Sequence, residues 1–155
     1  MKEREYSLTV HDLEKSKAFC VDNGFLLVSN SEQVRTIYKR PDKTMARITE
    51  EKSENNTNIF IDFKEDKLTG EPLIVRRESK ALKVEDVDAV LSILDFLGYK
   101  KFNVLHRNRW VYTKGKIVCE IDLYNNEEKA IVVSIEGDDY AGVDGFYKKF
   151  VDKKI

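Results

Sequence analysis

Residues 101–124 read KFNVLHRNRWVYTKGKIVCEIDLY, and this stretch decides how the rest of the chain is assembled. Two runs of alternating polarity flank Thr113-Lys114-Gly115-Lys116, the pattern of a β-hairpin. With Lys114-Gly115 as a two-residue loop, Thr113 stands opposite Lys116. Val111 then faces Val118, Arg109 faces Glu120 and Arg107 faces Asp122. On the opposite face Tyr112 pairs with Ile117, Trp110 with Cys119 and Asn108 with Ile121. Side chains alternate across a strand, so one face is apolar and aromatic while the other carries two arginine–carboxylate pairs. A three-residue loop with a bulge shifts the register by one and removes those pairs. The facing pairs are therefore conditional on the turn.

Upstream of the hairpin, residues 84–97 carry the best helical pattern. Val87, Val90, Leu91, Leu94 and Leu97 recur at three- and four-residue spacing, and Gly98 stops the run. Residues 73–80 read as a strand with Ile74, Arg76, Glu78 and Lys80 on one face, preceded by a turn over 68–71. Residues 58–64 alternate, with Ile59, Ile61 and Phe63 pointing one way and Asp62 and Lys64 the other. Residues 44–49 form a short strand that places Met45, Arg47 and Thr49 together, and the polar run 50–58 reads as a loop. Residues 25–30 and 33–40 suggest a strand pair turning near Asn30-Ser31, with a second turn at Pro41-Asp42-Lys43. Asp12 is the expected N-cap of a helix ending near Asn23, with Gly24 as its C′ residue and Leu13, Cys20 and Val21 as its apolar stripe. Residues 2–10 form a first strand with Glu3, Glu5 and Ser7 on one face. Downstream of the hairpin, residues 130–136 are a strand with Val132, Ser134 and Glu136 together, and a last helix spans 139–151. The class is α+β with antiparallel strands.

The bulk numbers narrow the function. A chain of 155 residues with 41% hydrophobic side chains can bury one sizeable core. Charged residues make up 35%, against a usual share of about a quarter. The 27 basic and 28 acidic side chains nearly cancel, which argues against the broad basic footprint of a nucleic-acid binder. No apolar run is long enough to span a membrane, and MKEREYS lacks the apolar core of an export signal. Cys20 and Cys119 match no metal-ligand spacing, and His11 and His106 have no ligand pattern beside them. A reduced, cytoplasmic protein is the expectation.

Ionisable residues occupy one face of strand after strand: Glu3 and Glu5, Arg47, Asp62 and Lys64, Arg76 and Glu78, Arg107 and Arg109, Glu120 and Asp122, and Glu136. Two arrangements accommodate them. In an open, one-sided sheet these charges lie in water and contribute only a few tenths of a kcal/mol per pair, on the order of the usual surface value. In a barrel they line a polar interior, where buried charges must be paired or must bind something.

The order of motifs separates these readings. Glu3-Arg4-Glu5-Tyr6-Ser7 opens the chain, followed by Ala46-Arg47-Ile48-Thr49, Ile61-Asp62-Phe63-Lys64 and Arg76-Arg77-Glu78. Leu97-Gly98-Tyr99, Arg107-Asn108-Arg109, Asp122 and Ser134-Ile135-Glu136 complete the series. This succession resembles the CYTH superfamily, the triphosphate tunnel metalloenzymes, which include class IV adenylate cyclases and thiamine triphosphatases. The resemblance implies a single domain over 1–155, an eight-stranded antiparallel β-barrel or tunnel with helices packed outside. It also implies a triphosphate-bearing substrate and Mg2+ or Mn2+. Glu3, Glu5 and Glu136 would hold the metal with Asp122 nearby, Glu3 and Glu5 acting catalytically through it. Arg47, Lys64, Arg76, Arg107 and Arg109 would grip phosphates.

Three positions depart from the family pattern. Ser7 stands where the motif has Lys, Thr49 where it has a second Arg, and Ser134 where it has a late carboxylate. The expected activity is metal-dependent hydrolysis of a nucleoside triphosphate, thiamine triphosphate or tripolyphosphate. The alternatives are a catalytically weakened nucleotide- or polyphosphate-binding module, or cyclase-like chemistry. No nucleic acid or membrane partner is expected.

Overall fold

The computed structural model describes residues 2–66 and 73–155; the turn expected over 68–71 lies outside them. Nine strands form one antiparallel sheet: β1 (Lys2–Val10), β2 (Leu26–Lys39), β3 (Thr44–Ser53), β4 (Asn56–Glu65), β5 (Leu73–Arg77), β6 (Leu82–Lys83), β7 (Lys100–Lys114), β8 (Ile117–Tyr124) and β9 (Ile131–Gly137). Their spatial order is β5-β1-β9-β8-β7-β2-β3-β4-β6. Three helices accompany them: α1 (Leu13–Asp22), α2 (Val87–Phe96) and α3 (Tyr140–Lys153). The eight-stranded closed barrel expected from the motifs is therefore corrected to a curled nine-stranded sheet. Its edge strands β5 and β6 come from one stretch of chain, pairing with β1 and β4 respectively. Among the described residues an isolated bridge, Lys64↔Glu78, links β4 to the residue just past β5, where a full ladder would have closed the sheet.

Each helix starts where an aspartate can cap it. The side chains of Asp12, Asp86 and Asp139 accept hydrogen bonds from the backbone N–H groups of Lys15, Ala89 and Gly142, satisfying donors that a helix start leaves open. Helix α2 begins three residues later than the periodicity predicts, because Asp86 provides the cap and Val84 is already buried in the extended segment before it. Val21, placed on the apolar stripe of α1 by spacing, is exposed.

The hairpin forms with its loop displaced. Gly115-Lys116 is the turn, so Lys114 pairs with Ile117, Arg109 with Asp122 and Arg107 with Tyr124. Gly115 has φ +57° at the first loop position, as a Gly-X hairpin loop requires. The register differs from the expected one by two residues, and because the strand period is two, every side chain keeps its predicted face. Strand β2 runs unbroken through Asn30-Ser31, with a bulge between Leu27 and Ser29, because β7 pairs along it there and β3 joins on the other side from Glu32 onward. The polar run 50–58 likewise extends the β3–β4 ladder around a turn at Glu54-Asn55.

Two apolar clusters cover the outside of the sheet. The larger joins Ile117, Cys119 and Ile121 of β8 and Ile131, Val133 and Ile135 of β9 to Cys20, Val143, Phe146 and Phe150 of α1 and α3. Phe25 stacks on Phe146 at 4.3 Å between centroids, and Phe19 meets Phe150 edge-on at 4.9 Å. The second places Leu94 of α2 with Ala46, Ile48, Ile61 and Tyr99. Burying a side chain of this size stabilises by about 1.5–3 kcal/mol, so the outer faces fix which way every strand points. Tyr6 illustrates the coupling: it stacks on Tyr147 at 4.2 Å and donates to Asp144 Oδ1 at 2.6 Å, turning its neighbour Glu5 inward.

Strand β9 ends at Gly137, whose φ is +148° and where a Cβ would lie 2.1 Å from the Lys116 carbonyl oxygen. Gly137→Ala should therefore destabilise the protein by about 2 kcal/mol or more, read from the midpoint of urea denaturation. A variant as stable as the parent would show that this end of β9 can move away from the hairpin turn.

Candidate functional site

The concave side of the sheet encloses a cavity of about 390 Å³ lined by side chains from eight strands. Strand order sorts its charges. Glu3 and Glu5 on β1, Glu136 on β9, and Glu120 and Asp122 on β8 form an acidic arc. Arg107 and Arg109 on β7, Arg35 on β2 and Arg47 on β3 form a basic arc, continued by Lys64 on β4 and Arg76 on β5. The sheet thus brings all of the phosphate- and metal-binding candidates from the motifs to one cavity.

Ion pairs form where the arcs meet. At one boundary Arg109 donates to Asp122 at 2.7 and 2.8 Å and to Glu120 at 2.6 Å. Burial disfavours the Arg109 cation, but Glu120 and Asp122 outweigh it and raise its proton affinity further. Burial would raise Asp122, but the hydrogen bonds and charge of Arg109 hold it below the usual carboxylate range. At the other boundary Lys64 Nζ donates to Glu3 Oε1 at 2.7 Å, and Arg76 Nε to Glu3 Oε2 at 3.1 Å. Burial works against the Glu3 anion, yet Lys64 and Arg76 together bring its pKa down to about 2. Within the basic arc, Arg47 Nε donates to Asp62 Oδ1 at 2.8 Å, and a second bond joins Arg47 Nη2 to Asp62.

These pairings leave an unneutralised remainder on each side. Glu3, Glu5 and Glu136 each offer a carboxylate oxygen, and the three lie within 4.8 Å of one another. Burial, then the charge of Glu3, pushes Glu5 up to about 7. Burial, then the charges of Glu120 and its other acidic neighbours, pushes Glu136 up to about 8. Carboxylates crowded in this way need protons or a cation between them. The set suits a hard divalent ion such as Mg2+ or Mn2+, which prefers oxygen ligands. Asp122, grouped with these glutamates in the sequence reading, sits with Arg109 and Arg107 and is outside the trio.

On the basic side, Arg107 donates from Nε to Gln33 Oε1 at 2.9 Å and from Nη1 to the Tyr124 hydroxyl at 3.1 Å. Its Nη2 is buried without a hydrogen-bond partner among the described residues. Arg35 was absent from the candidates. It lies beside Thr49, its cross-strand partner, and donates from Nε to Thr49 Oγ1 at 2.9 Å. The alternation Gln33-x-Arg35 was the available signal, and the supposed turn just before it hid the strand's inward face. Ser7 and Ser134 are cross-strand partners on β1 and β9 and both line the cavity.

No family model matches the sequence, and no curated protein does. Solved structures do match. PH1012 from Pyrococcus horikoshii OT3 superposes with a TM-score of 0.74 at 19% identity, covering 94% of this chain and 86% of that one. HpAC1 from Hippeastrum, described as an adenylyl cyclase candidate with a dominant triphosphatase activity, gives 0.68 at 12% identity over 98% and 87%. An adenylate cyclase candidate from Vibrio parahaemolyticus gives 0.67 at 13% identity over 97% and 85%. At these identities the likeness is one of fold: the chain shares the fold of PH1012 and of these adenylate cyclase candidates, as the resemblance in motif order implied.

Proposed function

We propose that the protein binds a triphosphate-bearing substrate on the concave face and hydrolyses it with the help of a divalent cation. One observation carries this reading: the crowded carboxylates of Glu3, Glu5 and Glu136 and the unused guanidinium donors of Arg35 and Arg107 line one cavity. A polyphosphate with its counter-cation is the simplest ligand that answers both signs at once. The basic arc would grip phosphate oxygens and neutralise charge developing on the transferred group. Glu3, Glu5 and Glu136 would hold Mg2+ or Mn2+, with Lys64 limiting the charge on Glu3. A bound cation in this position supplies polarisation of a phosphoryl oxygen and orientation of a water. The triphosphatase activity described for HpAC1, a protein of the same fold, is consistent with this assignment. Cyclisation rests on the resemblance alone.

A second reading has its own observation. Ser7 and Ser134 stand opposite each other where the family motif places a lysine and a carboxylate. Loss of both charges favours a polyphosphate- or nucleotide-binding module with little turnover. Under that reading tripolyphosphate raises the melting temperature, while phosphate release stays at background with every divalent metal.

For the hydrolase, the double variant Glu3→Ala, Glu5→Ala should lower phosphate release from tripolyphosphate, ATP and thiamine triphosphate by about a hundredfold or more. Unchanged rates with all three would remove metal-assisted catalysis from these residues. The trio also makes a pH signature. Glu5 and Glu136 hold their protons up to about 7 and about 8 in the folded protein, whereas unfolded glutamates release theirs near about 4.3. Their contribution is fully present below the unfolded value and is lost as pH rises through the folded ones. In EDTA the melting temperature should fall between about pH 5 and pH 8. Glu3, shifted downward, acts only below this window. Saturating Mg2+ or Mn2+ should flatten the slope, as should the Glu5→Gln, Glu136→Gln variant. A metal-independent profile would contradict cation binding by the trio.

A further inference from the structure

We propose that Arg35 is a phosphate-binding residue of the cavity, acting beside the unpartnered Nη2 of Arg107 and supplying from β2 the guanidinium group that Thr49 on β3 does not. The assignment rests on the triphosphate reading above and names a residue that reading did not contain. Arg47, Arg76, Arg107 and Arg109 each form an ion pair with a carboxylate. Arg35 forms none among the described residues. Its one hydrogen bond there goes to a neutral hydroxyl, leaving both terminal nitrogens without a partner among those residues. Its nearest charges are mostly cationic: burial and then Arg107, Arg47 and Arg109 work against its charge, and only then Asp62 favours it. An arginine does not shed its proton in a folded protein, so this charge is held beside three other guanidinium groups. Such a group persists where something outside the chain compensates it.

The second observation is independent. Arg107 is fixed by Gln33 and Tyr124, its side chain is only 3% exposed, and one of its nitrogens still has no acceptor. Gln33 and Arg35 are neighbours on the inward face of β2, and Arg107 is the cross-strand partner of Gln33. Two guanidinium groups with unused donors thus adjoin one another in a cavity that both of them line. Guanidinium donors in this number match the oxygens of a phosphate chain better than a single carboxylate. Thr49 fits the same scheme, since its short side chain leaves room for Arg35 and its hydroxyl orients the guanidinium.

The test is calorimetric binding of tripolyphosphate, pyrophosphate and orthophosphate at fixed ionic strength, with EDTA and separately with Mg2+. It uses the wild-type chain, R35Q, R35T, R35T/T49R and K52Q. Lys52 is exposed and lies outside this cavity, so K52Q controls for net charge. R35Q should weaken tripolyphosphate binding by about tenfold to a hundredfold, the usual worth of a charge-assisted hydrogen bond. Its melting temperature without ligand should stay the same or rise, because a repelled cation has been removed. Moving the guanidinium to the adjacent strand in R35T/T49R should recover binding to within about tenfold of wild type. This double variant carries the test if R35Q does not fold. Binding by R35Q within about threefold of wild type, or no weaker than by K52Q, overturns the assignment. So does R35T/T49R binding no better than R35T. If wild type binds pyrophosphate or orthophosphate through Arg35 but not tripolyphosphate, the triphosphate reading falls and Arg35 stands. If it binds none of the three, both fall.

Discussion

A charge taken out of water must be paired, and that constraint governs the concave face of this sheet. Removing a carboxylate or guanidinium from solvent costs several kcal/mol, roughly, even after the protein relaxes around it. The sheet meets this cost where its acidic and basic arcs touch. Arg109 closes one boundary with Asp122 and Glu120, and Lys64 and Arg76 close the other with Glu3. Away from the boundaries the geometry leaves Glu5 and Glu136 crowded on one side and, on the other, Arg35 without an ion pair among the described residues. An assembly built for stability alone would favour apolar residues of similar size at such positions. Retaining them is intelligible as preparation for a ligand that carries both signs.

The outer faces make the inner arrangement possible. Alternation gives each strand an apolar side, and the two helix-covered clusters hold those sides in place. Ile131, Val133 and Ile135 pack against α3, which leaves Val132, Ser134 and Glu136 no direction but inward. Ala46 and Ile48 do the same for Arg47 and Thr49 under α2. The charged cavity is thus positioned by contacts that contain almost no charge. Tyr6 adds a polar tie, joining β1 to α3 through the Asp144 carboxylate.

Much of this was legible in the chain. Apart from Lys80, exposed beyond the end of β5, the charges named from alternation face the cavity, and the hairpin's faces survived a two-residue error in register because a shift of two leaves the side of each residue unchanged. The register itself was not legible, since Lys114-Gly115 and Gly115-Lys116 are both acceptable loops and Gly115 serves in either. Residues 30–31 look like a turn by composition, yet pairing with Trp110 and Arg109 of β7 outweighs that preference. The same oversight concealed Arg35.

By itself the sequence determined which side chains share a face of each strand, the aspartate cap that starts α1, and the succession of charged motifs that resembles the CYTH superfamily. These are local properties, set by a two-residue period and by capping chemistry within a few residues. Only the tertiary structure decided the strand order, and with it which charges became neighbours. Glu5 meets Glu136 because β1 and β9, distant in the chain, lie side by side, while the registers of the β7–β8 and β2–β3 pairs gave Asp122 to Arg109 and Thr49 to Arg35. Coulomb interactions depend on distance in space, so the excess of charge that defines the candidate site exists only after the sheet has curled.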